Sequence, residues 1–245
     1  MKPYEVIAPW YAELMFHVDY VDWAQLILKL LKKQKISPTS LLELGSGDCQ
    51  LAHHLAIPSL QRRLHTDLVP AMLNAAPQGF AWPRAVCDMR RIPLIDGSFD
   101  LILLLYDAFN YLMEVDDRAA FYREAHRVLS PGGHLLFDIA TERACREWFD
   151  GAVDYMEFAE GELVRLSHYD LPSSVQTNHF ICYLKMGRGG RYKLEERHQQ
   201  RIVEVEVVKD ELSNSGFELL STTHEFSTRK AHSKSLRVHF LARRL

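Results

Sequence analysis

The sequence predicts an α/β chain: a mostly parallel sheet with helices on both faces, ended by a C-terminal antiparallel hairpin and carrying an inserted antiparallel β-sheet after strand five. Three observations predict it. Between residues 41 and 139, short apolar runs alternate with helical stretches at the rhythm of βαβ units. One run, FDLILLL at 99–105, shows no two-residue alternation, as a central strand covered on both faces requires. After Thr141 the texture changes to long runs rich in aromatic and β-branched residues, broken by Gly-Glu and Gly-Arg-Gly-Gly turns.

Taken in order, residues 1–35 read as one or two helices, with LILKLLKK amphipathic. The frame continues as LLEL and a helix over 49–55, RLHTDL and PAMLNAA, RAVCDM, FDLILLLYD and a helix over 116–129, an SPGG turn, and HLLFDIA. RLHTDL is poor in apolar residues, and the crossover rhythm is what asks for a strand there. Hairpin texture fills about 153–203; a helix over 204–213, the turn NSGF, and strands over 218–223 and 236–242 complete the sheet. The expected division is an N-terminal helical segment over 1–35, an α/β core over 36–141 and 203–245, and an inserted β subdomain over 142–202.

Composition narrows the function. At 245 residues and 47% hydrophobic, the chain can bury a sizeable core, and a net charge of -3 with interspersed signs gives no electrostatic reason for nucleic acid or an anionic membrane. Cys49, Cys87, Cys145 and Cys182 form no C-x-x-C pair, which argues against a zinc site or disulfide framework and suits a reducing compartment. The adjacent His53 and His54 point different ways on a helix, so no metal is expected. With no signal-peptide pattern and no run of ~18 apolar residues, a cytoplasmic protein is expected, leaving a homodimer open.

The stretch LLELGSGDCQLA puts Gly45 and Gly47 at a strand-to-helix turn, where the backbone can approach a ligand closely. A dinucleotide fingerprint needs glycine at position 50, where Gln50 stands, and no Gly-Lys-Ser/Thr phosphate loop exists. A nicotinamide-dependent oxidoreductase is disfavoured accordingly. Asp67 falls 20 residues after Gly47, at the end of the second strand, where an acid accepts ribose hydroxyls; Asp88 follows the third strand, where a carboxylate can take an adenine amino group beside the Met89 N–H. Each acid alone would more often be a helix cap. Three carboxylates, with Glu43, at one sheet edge point to a ligand.

These motifs, with HTDLVPAML, CDMRRIPLIDGSFDLILLLYDAFNYL and HRVLSPGGHLLFDIAT, resemble the successive motifs of class I S-adenosylmethionine-dependent methyltransferases over residues 41–141. The resemblance implies a Rossmann-like seven-stranded sheet and S-adenosylmethionine as cofactor. It places Glu43, Gly45, Ser46 and Gly47 at the methionyl part, Asp67, Leu68 and Met72 by the ribose, Asp88 and Met89 at the adenine, and Leu105 and Tyr106 after the fourth strand. Cys49 departs from the pattern, which often has a third glycine there. YEVIAPWYAELM, DAFNYL and EERHQQR are further similar to small-molecule methyltransferases with a sheet inserted after strand five, related to aminosugar N-methyltransferases. In such proteins an N-terminal helical segment forms a lid, which brings in Tyr4 and Tyr11.

The resemblance implies transfer to N or O of a small-molecule acceptor. Asp107, Asn110 and Tyr111 follow the central strand and are acceptor-binding candidates, with Tyr111 also a catalytic one; for Asn110 a helix cap or turn role is equally expected. Glu196, His198, Gln200 and Arg201 match a Glu-x-His-x-Gln-Arg pattern, with Val203 where an aromatic is common. His198 is the candidate base, since an unperturbed imidazole titrates near ~6.5; Glu196 and Arg201 are expected to touch acceptor, or to pair with one another on the surface. The alternatives are a nucleic acid methyltransferase, which would show Asn-Pro-Pro-Tyr where DAFNY stands, and a non-catalytic cofactor-binding protein. The basic run RKAHSKSLR at 229–237 reads as a solvated hairpin face.

Overall fold

The computed structural model describes residues 3–186 and 190–245; most of the expected Gly-Arg-Gly-Gly turn, residues 187–189, lies outside the described residues. After a 3₁₀ turn at Ala8–Trp10 come α1 (Tyr11–Leu14) and α2 (Tyr20–Lys33). Asp19 starts α2 by accepting the Asp22 N–H at 2.9 Å. Trp23, Ala24, Leu26, Ile27, Leu30 and Leu31 fall on one stripe and pack against Leu41, Leu101, Leu103 and Leu136 of the sheet. Each fully buried Leu or Ile contributes roughly 1.5–3 kcal/mol.

The frame follows as β1 (Ser40–Leu44), α3 (Gln50–His54), β2 (Arg62–Asp67), α4 (Pro70–Asn74), β3 (Arg84–Val86), β4 (Phe99–Leu104), a 3₁₀ turn at Ala108–Tyr111, α5 (Val115–Val128) and β5 (Leu129–Ala140). Next, α6 (Glu142–Ala144) leads into a π-helical turn, Cys145–Phe149, and to four antiparallel strands: β6 (Val153–Phe158), β7 (Gly161–Asp170), β8 (Val175–Lys185) and β9 (Arg191–Arg201). The chain ends with α7 (Val205–Asn214), β10 (Phe217–His224) and β11 (Arg237–Arg244). The main sheet has seven strands in the order β10-β11-β5-β4-β1-β2-β3, parallel except at β11. The order reverses between β4 and β1, so the crevice beyond their carboxyl ends is the natural ligand site of such a sheet.

The apolar content of β4 is explained by its two covered faces: Ile102 and Leu104 join Phe109, Phe121 and Phe137, while Leu101 and Leu103 meet α2. The apolar-poor β2 forms because a polar pair does the filling. His65, 1% exposed, sits 2.6 Å from the Glu43 carboxylate across the β1–β2 ladder. The fifth strand begins earlier than HLLFDIA, because Leu129 already pairs with Phe99 and the ladder resumes at His134 after a bulge holding Ser130 to Gly133.

The inserted sheet is not free-standing. Its Leu163, Phe180 and Cys182 pack on Val6 and Ile7 of the N-terminal segment. At its first hairpin a side chain on Gly161 would lie 2.2 Å from the Tyr183 carbonyl oxygen, so only glycine fits. From Leu194 to Gln200 of β9, burial alternates, turning Glu196, His198 and Gln200 inward and Glu195, Arg197 and Gln199 outward.

Candidate active site

A cavity of about 350 Å³ lies at the carboxyl ends of β1, β2 and β4, with Gly45, Gly47, Asp67, Met72, Leu105 and Tyr106 in its wall. Gly45 and Gly47 take φ of +62° and +57°, and a side chain on Gly47 would meet Met72 Cε at 3.4 Å and Tyr11 Cε1 at 3.7 Å. The floor of the cavity is therefore bare backbone. Cys49 adopts the left-handed conformation that a third glycine would, at φ +62°, and is wholly buried. Asp67 accepts the Gly47 N–H at 3.0 Å and the Val69 N–H at 2.8 Å, which fixes its carboxylate beside the turn. Burial pushes that carboxyl above its ordinary range.

Leu68, Met89 and Tyr11 also line this cavity, whereas Glu43 and Ser46 line a smaller pocket of about 50 Å³ that shares Tyr11, Gly45, Gly47, Leu105 and Tyr106 with it. Asp88 stands outside the wall. Both of its carboxylate oxygens are bonded by Arg90, which also reaches Asp117 at 2.9 Å, so Arg90 and not Asp88 forms the rim there.

The far wall is phenolic. Tyr4 and Tyr111 line the cavity with their hydroxyls 2.9 Å apart, and the Tyr111 hydroxyl is 2.9 Å from His198 Nδ1. His198 Nε2 is 2.8 Å from Glu196 Oε1. The Tyr4 N–H also lies 3.2 Å from Nε2, but it is shared with Glu196 Oε1 at the same distance; the shorter Nε2–carboxylate contact assigns the hydrogen to Nε2, and Nδ1 then accepts from Tyr111. Burial holds both tyrosines well above the usual phenol range, and they are neutral near pH 7.

Several expected roles meet a different geometry. His198, the candidate base, is not a direct wall of the cavity: it is 2% exposed and stands behind Tyr111. Glu196 does not face an acceptor or pair with Arg201; it accepts the Val6 N–H at 2.7 Å and the Tyr4 N–H at 3.2 Å, pinning the N-terminal segment. Asn110 is fully buried, donating to the Arg201 carbonyl at 2.8 Å and accepting from the Ala140 N–H at 3.0 Å, so its amide is a strut between β9 and β5. Arg201 donates to the Met113 and Ser173 carbonyls, holding the same junction.

Asp107 also lies behind the wall. Its carboxylate takes Arg237 at 2.8 Å and Gln200 at 2.6 Å, and Arg237 bridges onward to the fully buried Asp138. Arg237 is thus not part of a solvated face; it stacks over Tyr106 at 4.9 Å from the ring. Asp138 accepts the Asp107 N–H at 3.0 Å. Together these contacts hold Tyr106 and Asp107 at positive φ, 60° and 52°, and such strain gathers where neighbours over-determine it. No local motif marks Arg237 or Asp138 as site residues. For Gln200 the Glu-x-His-x-Gln-Arg match and the two-residue period in ERHQQ are the available signals.

Residues 42–137 match the family described as methyltransferase domain. The YqeM protein of Bacillus subtilis (strain 168), which carries a provisional methyltransferase name, is 26% identical over 98% of this chain and 97% of its own. An S-adenosylmethionine-dependent methyltransferase from Clostridium acetobutylicum ATCC 824 superposes with a TM-score of 0.81 over 99% of both chains, at 21% identity. The sugar N-methyltransferase KedS8 of Streptoalloteichus sp. gives 0.76 over 98% of this chain and 93% of its own, also at 21% identity. The structural likenesses establish the fold, a seven-stranded sheet with an added four-stranded one. Among the described residues, no helix is long and apolar enough to cross a membrane. A glycine-floored turn followed by Asp67 in a cavity of this size fits S-adenosylmethionine, and the chain carries a methyltransferase domain over residues 42–137 on a methyltransferase-like fold.

Proposed function

We propose that the protein transfers a methyl group to a nitrogen or oxygen of a small-molecule acceptor, an amine-bearing sugar being the first class to try. The observation that carries this is the cavity's phenolic wall: Tyr4 and Tyr111 face it, with His198 and Glu196 in series behind Tyr111. Support for the acceptor class comes from the KedS8 likeness and from the amino pentose methyltransferase CalS10, with a TM-score of 0.72 at 19% identity. Gly45, Gly47, Asp67, Leu68, Met72, Met89, Leu105, Tyr106 and Tyr11 hold the cofactor in this reading, with Glu43 and Ser46 at its amino-acid end.

S-adenosylmethionine supplies an electrophilic methyl on a sulfonium. The chain's part is positioning and one proton. When an acceptor N–H or O–H loses its proton, the Tyr111 oxygen receives it while the Tyr111 proton passes to His198 Nδ1. The Glu196 carboxylate stabilises the imidazolium. Tyr111 is the catalytic residue; His198 and Glu196 are positioning and proton-holding residues behind it. Tyr4 closes the site, excluding water from the reacting group.

Titration calorimetry with S-adenosylhomocysteine and NAD checks the cofactor side, with binding of the first alone expected. A competition screen of amine- and hydroxyl-bearing metabolites with labelled S-adenosylmethionine checks the acceptor side. Labelling of tRNA or DNA with no small molecule labelled would refute this reading.

A further inference from the structure

Beside the glycine turn, one buried carboxylate has no cationic partner among the described residues. Asp48 follows Gly47, is only 2% exposed, and lines the smaller pocket with Glu43, Tyr20 and Trp23. Its carboxylate takes hydrogen bonds from Gln50, yet Oδ2 has no partner among the described residues. Buried carboxylate oxygens are almost always satisfied, so an orphan one on a residue that lines a pocket marks a missing donor. The pocket's lining contains no lysine or arginine. Glu43 from β1 is already engaged by His65 at 2.6 Å, and Tyr11, Tyr20, Cys49 and Tyr106 bring only neutral groups.

We propose that Asp48 is the counter-ion for the primary ammonium at the amino-acid end of the cofactor, with Oδ2 as the acceptor. The inference rests on the reading that this cleft holds S-adenosylmethionine. An ammonium is the chemical class that fits: a compact cation with several N–H donors, entering a pocket lined by a buried carboxylate with an unsatisfied oxygen.

Two consequences separate this role from a structural one. Burial without a cation holds the Asp48 carboxyl at about 6, largely through desolvation, with Glu43 adding repulsion. Protons therefore compete with the ammonium, and affinity for the cofactor falls as pH drops below about 6. The second consequence concerns the free protein. A carboxyl whose folded value lies above its unfolded one costs stability once ionised, so Asp48→Asn should raise Tm near pH 7 while weakening the ligand. A residue that merely caps α3 would lower both.

The test is calorimetry on wild type, Asp48→Asn and Asp48→Ser with two ligands. S-adenosylhomocysteine carries the ammonium; 5′-methylthioadenosine lacks the whole amino-acid end. The expected result is a loss of at least ~10-fold for S-adenosylhomocysteine in both variants, with methylthioadenosine within about twofold of wild type. Wild-type affinity for S-adenosylhomocysteine should fall between pH 7 and pH 5 more steeply than that for methylthioadenosine, which reports the likewise raised Asp67, and this excess should be gone in the variants. Equal losses for both ligands, or no loss for S-adenosylhomocysteine, overturn the assignment. If wild type binds neither ligand, the cofactor reading of the cleft has failed instead. Should Asp48→Asn not fold, Asp48→Ser and the wild-type pH series decide.

Discussion

The two walls of the cavity are built by different means. The wall of β1, β2 and β4 comes from one continuous stretch, with Gly47 and Asp67 only 20 residues apart and bonded to each other at 3.0 Å. The opposite wall joins chain ends: Tyr4 donates to Glu196 across 192 residues, and Tyr111 meets His198 across 87. The first depends on bare backbone and short acids at strand ends. The second depends on the inner face of β9 and on a segment that packs on the inserted sheet through Val6 and Ile7. A cofactor common to many enzymes can be met by local chemistry, while an acceptor requires a surface assembled from afar.

The largest effect is expected on the assembled wall. His198→Gln and Tyr111→Phe should each lower kcat by ~10²–10⁴-fold, with little change in cofactor affinity. Because the two residues act in series, the double variant should be no slower than the worse single one. Additive losses would break the series arrangement.

Next in size is the tie between the walls. Arg237 answers two buried carboxylates, Asp107 and Asp138, and Asp107 in turn takes Gln200 from β9. Arg237→Met leaves both acids without a cation, and should cost about 3–5 kcal/mol of stability. Thermal unfolding measures it. Asp138→Asn in the same background should recover part of the loss by removing one of the uncompensated charges.

Much of the local wall was legible in the sequence, and little of the other. LLELGSGDCQLA and HTDL are strand-turn motifs whose chemistry sits within a few residues, so Gly45, Gly47 and Asp67 could be placed before any fold existed. His198 could be named but not located. Its flanks Arg197 and Gln199 look solvated because they are, and only the alternation along β9 turns Glu196, His198 and Gln200 inward. Arg237 was misread for the same reason: a basic run suggests solvent, yet β11 lies between β5 and β10, where its first residue faces Asp138. Asn110 and Arg201 bond carbonyls and amides on remote strands, which no local pattern encodes.

A smaller effect should follow on the local wall from Asp67→Ala. Removing the acceptor beside the turn should weaken S-adenosylhomocysteine by about 1–3 kcal/mol, the cost of leaving donors unpaired. Calorimetry at pH 7.5 reads it, with methylthioadenosine affected equally because it keeps the ribose. That equality contrasts with Asp48, whose removal should spare methylthioadenosine. A loss confined to S-adenosylhomocysteine would move Asp67 to the amino-acid end.

The smallest effect tests whether the walls are coupled at all. Glu196 holds the N-terminal segment by two backbone N–H groups, Tyr4 and Val6, while Val6 and Ile7 also pack on Leu163 and Phe180. Glu196→Gln removes the charge and turns an amide N–H₂ toward one of those donors, but leaves the apolar packing. The net cost should be about 1–2 kcal/mol, or a ~5–30-fold loss of amide-exchange protection at Tyr4 and Val6. Since Tyr4 and Tyr11 of the same segment line the cavity, cofactor affinity should fall with it, though by no more than that factor, because opening is the only term shared. Exchange measured with and without S-adenosylhomocysteine decides the point: ligand should restore protection if closure and binding are one equilibrium. Faster exchange with unchanged affinity would mean that the segment closes on the acceptor alone, and that the two walls are independent in energy as well as in origin.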